Sequence, residues 1–151
     1  MDDLQRLIAI EDIRRLKTRY WNGFDFKDPV LLRSAFADEV LIDYRVKIDD
    51  PKTSPAYFTD PDICVRDMLS VLEGYVSAHQ GHSVEIDFLS DTQATGVWSL
   101  EDRFWYEGGG SPKLPFRRYH GWGHYHDRYI RTSAGWRIAG SAVRYLRVET
   151  Q

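Results

Sequence analysis

The sequence predicts an α+β fold, with helices packed on one face of a strongly curved antiparallel sheet. Two observations lead there. Helical periodicity and helix-start signals fill the first half of the chain, and from residue 77 onward four long segments rich in aromatic and β-branched residues follow, separated by turn signals. No repeat or low-complexity linker divides the chain. At 151 residues it is long enough to bury a sizeable core, so residues 1–151 are read as a single domain.

Residues 3–23 fit an amphipathic helix. Leu4, Leu7, Ile8, Ile13, Leu16 and Tyr20 recur at helical spacing, Asp12, Arg14, Arg15, Lys17 and Arg19 take the other side, and Gly23 is the expected terminator. Asp28 and Pro29 have the chemistry of a cap and first residue, giving a short second helix at about 28–36. "EVLIDYRV" (39–46) reads as a strand, and "DDPKTSPAYFTDP" (49–61) as a turn-rich loop. Asp60 and Pro61 then open a third helix with Ile63, Val65, Met68, Leu69 and Leu72 on its buried side. "HSVEIDFLSD", "TQATGVWSLEDRFWYE", "FRRYHGWGHYHDRYIRT" and "GWRIAGSAVRYLRVE" are the four strands, divided at Ser90-Asp91, Gly108–Pro112 and Ser133–Gly135. A sheet of such strands, curved over helices, encloses a conical cavity.

Composition excludes several function classes. The net charge of −3, from 20 Lys+Arg against 23 Asp+Glu, gives no basic footprint for nucleic acid. Cys64 is the only cysteine, which excludes an intrachain disulfide and a Cys-rich zinc site. The N-terminal residues carry no basic segment followed by an apolar one, and no run approaches a membrane span. A cytoplasmic protein without membrane contact is expected. Aromatic residues make up 14% of the chain, more than a core alone usually needs.

The chemistry-bearing candidates are carboxylates among rings. Asp25 sits between Phe24 and Phe26, and a carboxylate there is costly to desolvate unless something pairs with it. Strand alternation places Asp102 on one face with Trp98, Leu100, Phe104 and Tyr106. In the next strand Gly121, Gly123, Tyr125, Asp127 and Tyr129 share a face, the two glycines lowering its floor for a ligand or a bend. His120, Trp122, His124, His126 and Arg128 take the other face. Without Asp, Glu or Cys at a completing spacing, the His124/His126 pair suits a homo-oligomer interface better than a metal. His79, in "SAHQGHS", comes from a segment distant from Asp25, yet both would line the cavity. A carboxylate accepting from one imidazole nitrogen fixes the tautomer and leaves the other nitrogen as a metal-free general base. A histidine packed in the core against a backbone partner fits the same residues.

"IRRLKTRYWNGFDFKDPVLLRSAFADEVLIDY" resembles the opening of SnoaL-like domains of the nuclear transport factor 2-like superfamily. "DTQATGVWSLED" and "GHYHDRYIRTSAGWRIAGSAVRY" resemble its strand–turn–strand pattern. The resemblance spans nearly the whole chain and implies a cone-shaped α+β barrel, often dimeric or trimeric. It is greatest to the scytalone dehydratase, bile acid 7α-dehydratase and hexachlorocyclohexane dehydrochlorinase group, which eliminates across a carbon–carbon bond without a cofactor. The group's Asp–His pair falls on Asp25 and His79, and its pocket tyrosines fall on Tyr20 and Tyr44. A strand aspartate falls on Asp102, a second histidine on His82 and a last-strand arginine on Arg144. At Phe24 scytalone dehydratase has a tyrosine, its second histidine falls near Phe104, and its pocket asparagine falls on Tyr125. The resemblance implies a dehydratase-like lyase with Asp25, His79, Tyr20, Tyr44 and Asp102 as catalytic groups. Trp21, Phe24, His82, Trp98, Phe104, Tyr125 and Arg144 would bind a small hydrophobic or aromatic substrate. An isomerase or polyketide cyclase in the same pocket, or a non-catalytic binder of hydrophobic molecules, are the alternatives.

Overall fold

A computed structural model describes residues 1–45 and 56–151. The first helix, α1 (Asp3–Asp25), starts at a capping box: the Asp2 carboxylate accepts from the Gln5 N–H, and the Gln5 side chain reaches back to the Asp2 N–H. Its end differs from the expected one. Gly23 lies inside the helix, where a Cβ would stand 2.6 Å from Leu32 Cα, so its smallness serves a close helix crossing. The terminator is Lys27, in the left-handed region at φ +56°. The Lys27 N–H donates to the Phe24 carbonyl at 3.2 Å and the Asp28 N–H to the Gly23 carbonyl at 2.9 Å, the two bonds of a Schellman closure.

Asp28 then caps α2 (Pro29–Arg33), shorter than expected, because β1 (Phe36–Asp43) begins earlier than the alternation suggested. Of the strand read at 39–46 and the loop read at 49–61, residues 46–55 fall outside the described residues. β2 (Tyr57–Phe58) and α3 (Pro61–Val71) follow, the latter capped by Asp60 as its sequence requires. Cys64, Val65 and Leu72 are buried, whereas Ile63 is exposed on the solvent side of α3. Four long strands complete the chain: β3 (Tyr75–Phe88), β4 (Gln93–Tyr106), β5 (Arg118–Thr132) and β6 (Gly135–Thr150).

The six strands form one curved, unclosed sheet in the order β2-β1-β6-β5-β4-β3. Three hairpin pairings are antiparallel, but β1 runs parallel to β6, so the sheet is mixed rather than wholly antiparallel. The helices cover its concave face. A register shift in β3 between Gly81 and Val84 accompanies the docking of α1: Trp21 lies so close that a Cβ on Gly81 would stand 1.8 Å from its ring.

The buried stripe of α1 is Ala9, Ile13, Leu16, Lys17, Tyr20 and Phe24, while Leu4, Leu7 and Ile8 in the first turns are exposed. Lys17, expected on the polar side, is 0% exposed. Its spacing from Ile13 and Tyr20 puts it on the apolar stripe whatever its charge. Its ammonium stands 2.7 Å from the Asp127 carboxylate on β5, and 3.7 Å and 4.4 Å from the ring centres of Tyr125 and Tyr20. Asp127 also accepts from Ser141 Oγ and Tyr129 Oη, each at 2.7 Å. Burial draws the lysine ammonium below its ordinary range, and the facing carboxylate opposes that.

Removing one member of this pair strands a buried charge. Lys17→Met is expected to lose about 3–5 kcal/mol in urea unfolding, and adding Asp127→Asn to recover part of it. Strictly additive losses would contradict the pairing.

Candidate active site

A cavity of about 240 Å³ opens between α1, α3 and the concave face of β3–β6. Its apolar wall includes Phe24, Met68, Leu72, Phe104, Phe116 and Val143, and its polar groups are His79, Asp67, Asp102 and the hydroxyls of Tyr20, Tyr44, Tyr119, Tyr125 and Tyr145. Part of the wall comes from the segment joining β4 to β5. There Lys113 Nζ donates to the Ser70 carbonyl (3.0 Å) and stands 2.7 Å from the Glu73 carboxylate, holding Leu114 and Phe116 against the end of α3. Among the described residues, no Lys or Arg lines this cavity.

Asp25 is the last residue of α1 and His79 lies inside β3; their side chains meet at 2.6 Å, Oδ1 to Nδ1. The other carboxylate oxygen accepts the His79 backbone N–H at 2.9 Å, so the strand and its own side chain hold the same carboxylate. Ser77 adds a third hydrogen bond, to Oδ1, at 2.9 Å. With Nδ1 engaged, Nε2 is the nitrogen left for a ligand in the cavity that His79 lines. The His79 ring lies 5.3 Å from Phe24 and 5.4 Å from Phe104, centre to centre.

Asp102 stands directly opposite His79 in the β3–β4 register, so both side chains share the concave face. It is 1% exposed; Oδ2 accepts from Tyr145 Oη at 3.2 Å, and Oδ1 is buried without a hydrogen-bond partner among the described residues. Burial pushes this carboxyl above its ordinary 3.8, against the smaller pull of His79, Tyr145 and Lys17. A carboxyl so placed keeps its proton to higher pH than an exposed one. Opposite it in β5 is Gly121, where a Cβ would come within 2.9 Å of both the Tyr145 and Tyr119 rings. The glycine makes room for tyrosines, not for a lowered floor.

The tyrosines form the third group. Tyr20 Oη donates to Tyr44 Oη at 2.6 Å, and the Tyr125 ring lies 6.0 Å from that of Tyr20 and 6.3 Å from that of Tyr44. Burial raises the Tyr20, Tyr44, Tyr125 and Tyr145 phenols well above 10.0, so all four stay protonated near neutral pH.

The profile of the SnoaL-like domain matches residues 5–141. The chain belongs to the SnoaL-like domain family. Solved structures share its fold over nearly their whole length. A Novosphingobium aromaticivorans protein named "Putative Scytalone Dehydratase" matches at TM-score 0.79 and 17% identity, over 97% of this chain and 90% of that one. A type 2 hexachlorocyclohexane dehydrochlorinase matches at 0.78 and 16% identity, over 99% and 93%. The Kfla4162 protein of Kribbella flavida matches at 0.80 and 19% identity, over 95% of each chain. The superfamily's cone-shaped fold, with N-terminal helices inside a curved sheet, is this chain's fold.

In this SnoaL-like domain His79, Tyr20, Tyr44, Asp102, Phe24, Phe104 and Tyr125 line the cavity, while Asp25, expected to line it too, stands behind His79 through the 2.6 Å bond. Four other expected residues do not. Trp21 and Trp98 are buried core beside it, packed edge to face at 5.3 Å, with Trp98 Nε1 donating to Tyr129 Oη. His82 is exposed, inside the register shift between Gly81 and Val84, and stands 3.6 Å from the Glu101 carboxylate. Arg144 alternates away from its cavity-lining neighbours Val143 and Tyr145 and reaches the convex face, 4.0 Å from Asp43. Sequence reasoning missed Tyr145 and Tyr119, although period-two alternation from Val143 points to Tyr145. Met68 and Leu72 were read only as helix core. Among the described residues, no three His, Cys, Asp or Glu side chains gather as a cation site.

The raised Asp102 carboxyl carries a stability signature. The folded state holds its proton more tightly than the unfolded chain, so stability declines as pH rises from about 3.8 through the folded-state value. Asp102→Asn is expected to flatten that limb of a melting-temperature profile and to match the parent protein below it. A decline of unchanged size in the variant would assign it to other groups.

Proposed function

We propose that this SnoaL-like domain is a cofactor-independent carbon–oxygen lyase that removes water from a small, uncharged, cyclic or polycyclic hydroxy-carbonyl compound. The observation that carries the proposal is the 2.6 Å Asp25–His79 bond set directly across the strand pair from the buried Asp102. Fold likeness to proteins named as a dehydratase and a dehydrochlorinase supports the reaction class, and the largely apolar wall, with no Lys or Arg among the described residues lining it, supports an uncharged ligand.

The chemistry follows from the positions. His79, held by Asp25, removes the proton on the carbon next to the carbonyl, and the electron pair moves to the carbonyl oxygen. The protonated phenols of Tyr44 and Tyr125, with Tyr20 behind Tyr44, donate to the enolate that forms. Collapse of the enolate makes the new carbon–carbon double bond and expels the hydroxyl from the next carbon. The Asp102 proton turns that hydroxyl into water. Passing the proton gained by His79 to Asp102, directly or through water, restores both groups.

The test is turnover of a panel of neutral cyclic β-hydroxy ketones followed by mass spectrometry. Loss of one water is expected. His79→Ala should lower the rate by about 10²–10⁴-fold with an unchanged circular-dichroism spectrum, and an unaltered rate would remove His79 from the mechanism. A product of unchanged mass assigns an isomerase or cyclase instead, and binding without conversion assigns a carrier.

A further inference from the structure

The left-handed closure of α1 is a lysine where glycine is the relaxed choice. Lys27 sits at φ +56°, a region that disfavours residues bearing a Cβ, and such outliers persist where the surroundings use them. Its ammonium folds back over the helix end, donating to the Phe24 carbonyl at 3.0 Å and to Ser77 Oγ at 2.8 Å. Ser77, buried on β3, donates to Asp25 Oδ1 at 2.9 Å, the oxygen that also meets His79 Nδ1. Burial draws the Lys27 ammonium down, and Asp25 opposes that.

The donors in this row can point only one way. An ammonium has protons and no acceptor site, so it must donate to the serine oxygen. The serine proton is thereby directed to Asp25, and a carboxylate, which only accepts, leaves Nδ1 of the imidazole as donor. The order runs Lys27 to Ser77 to Asp25, with His79 donating from the other side. Its outcome is a fixed tautomer with the Nε2 lone pair facing the cavity.

We propose that Lys27 and Ser77 are positioning residues for the Asp25–His79 pair: the lysine, acting through the serine hydroxyl, locks the Asp25 carboxylate and with it the Nδ1–H tautomer of His79. The effect on turnover rests on the reading of His79 as the base; the lock itself is measured without it.

Lys27→Gly separates this role from helix capping, because the two give opposite results. A cap alone is improved by glycine, with nothing altered at His79. The lock is expected to leave the melting temperature equal or higher, while exchange of the His79 Nδ1 proton with water, followed by ¹⁵N-edited NMR, becomes about tenfold faster. Where a turned-over substrate is in hand, kcat should fall about tenfold with KM nearly unchanged. Ser77→Ala should reproduce the faster exchange and Ser77→Thr, which keeps the hydroxyl, should restore it, so the answer does not depend on one variant folding. Parent-like exchange and ¹⁵N shifts of His79 in Lys27→Gly and Ser77→Ala overturn the proposal. If His79→Ala has no effect on turnover, the base assignment fails while the NMR result still decides the lock.

Discussion

The contact of Lys17 with Asp127 fixes how α1 sits on the sheet, and the cavity depends on that placement. A fully buried ammonium has very few tolerable positions, because it loses its hydration and needs an opposite charge at close range. Here that charge is on β5, already braced by Ser141 and Tyr129. The constraint sets the rotation of α1 about its axis, since Lys17, Tyr20 and Phe24 lie on one stripe. Once Lys17 faces β5, Tyr20 and Phe24 enter the cavity wall and Asp25 emerges against β3. The rings of Tyr20 and Tyr125 flank the ammonium and line the cavity as well, so stability and ligand surface share side chains.

Three acids on the concave side, Asp102 and Asp127 buried and Asp25 partly exposed, have three different settings. Asp127 faces a cation and two hydroxyls; Asp25 accepts from an imidazole, a backbone N–H and a serine; Asp102 has one long hydrogen bond and one bare oxygen. In the last setting burial raises the carboxyl above its ordinary value, because its partners offset the desolvation only in part. Chemically identical side chains thus meet three environments: a buried lysine ammonium, an imidazole with a backbone N–H, and a site where burial raises the carboxyl. The register of β3 against β4 then sets the acid beside the histidine.

Much of this was legible in the sequence. Helix starts at Asp28-Pro29 and Asp60-Pro61, strand alternation around Asp102 and Tyr125, and the need of Asp25 for a partner all follow from local chemistry. The errors have local causes too. Residue type alone puts Lys17 on the solvent side, although its spacing from Ile13 and Tyr20 is that of a core position. Gly23 reads as a stop because tight helix crossings select the same residue as helix ends. Arg144 and His82 came from resemblance alone, and strand parity or a register shift turns each away from the cavity. Trp21 and Trp98 are large and aromatic like the lining residues, and only three-dimensional packing distinguishes wall from core. The pairing of Asp25 with His79 needs strand register and helix placement, which spacing in a sequence does not encode.

The wall of the cavity has a consequence for how the protein ages and is degraded. Leu114 and Phe116 reach the cavity from the β4–β5 connection, which is held to α3 through Lys113 and, at Phe116, by the Tyr75 hydroxyl on its carbonyl. That connection carries Gly108, Gly109 and Gly110, the last at φ +81°, and the latter two have no neighbours that a side chain would meet. A ligand filling the cavity touches both sides of this closure, and its binding free energy adds to that of the lysine contacts. A bound molecule between Leu114, Phe116 and α3 would therefore add its binding free energy to the contacts that hold the glycine-rich connection and would slow its cleavage by proteases.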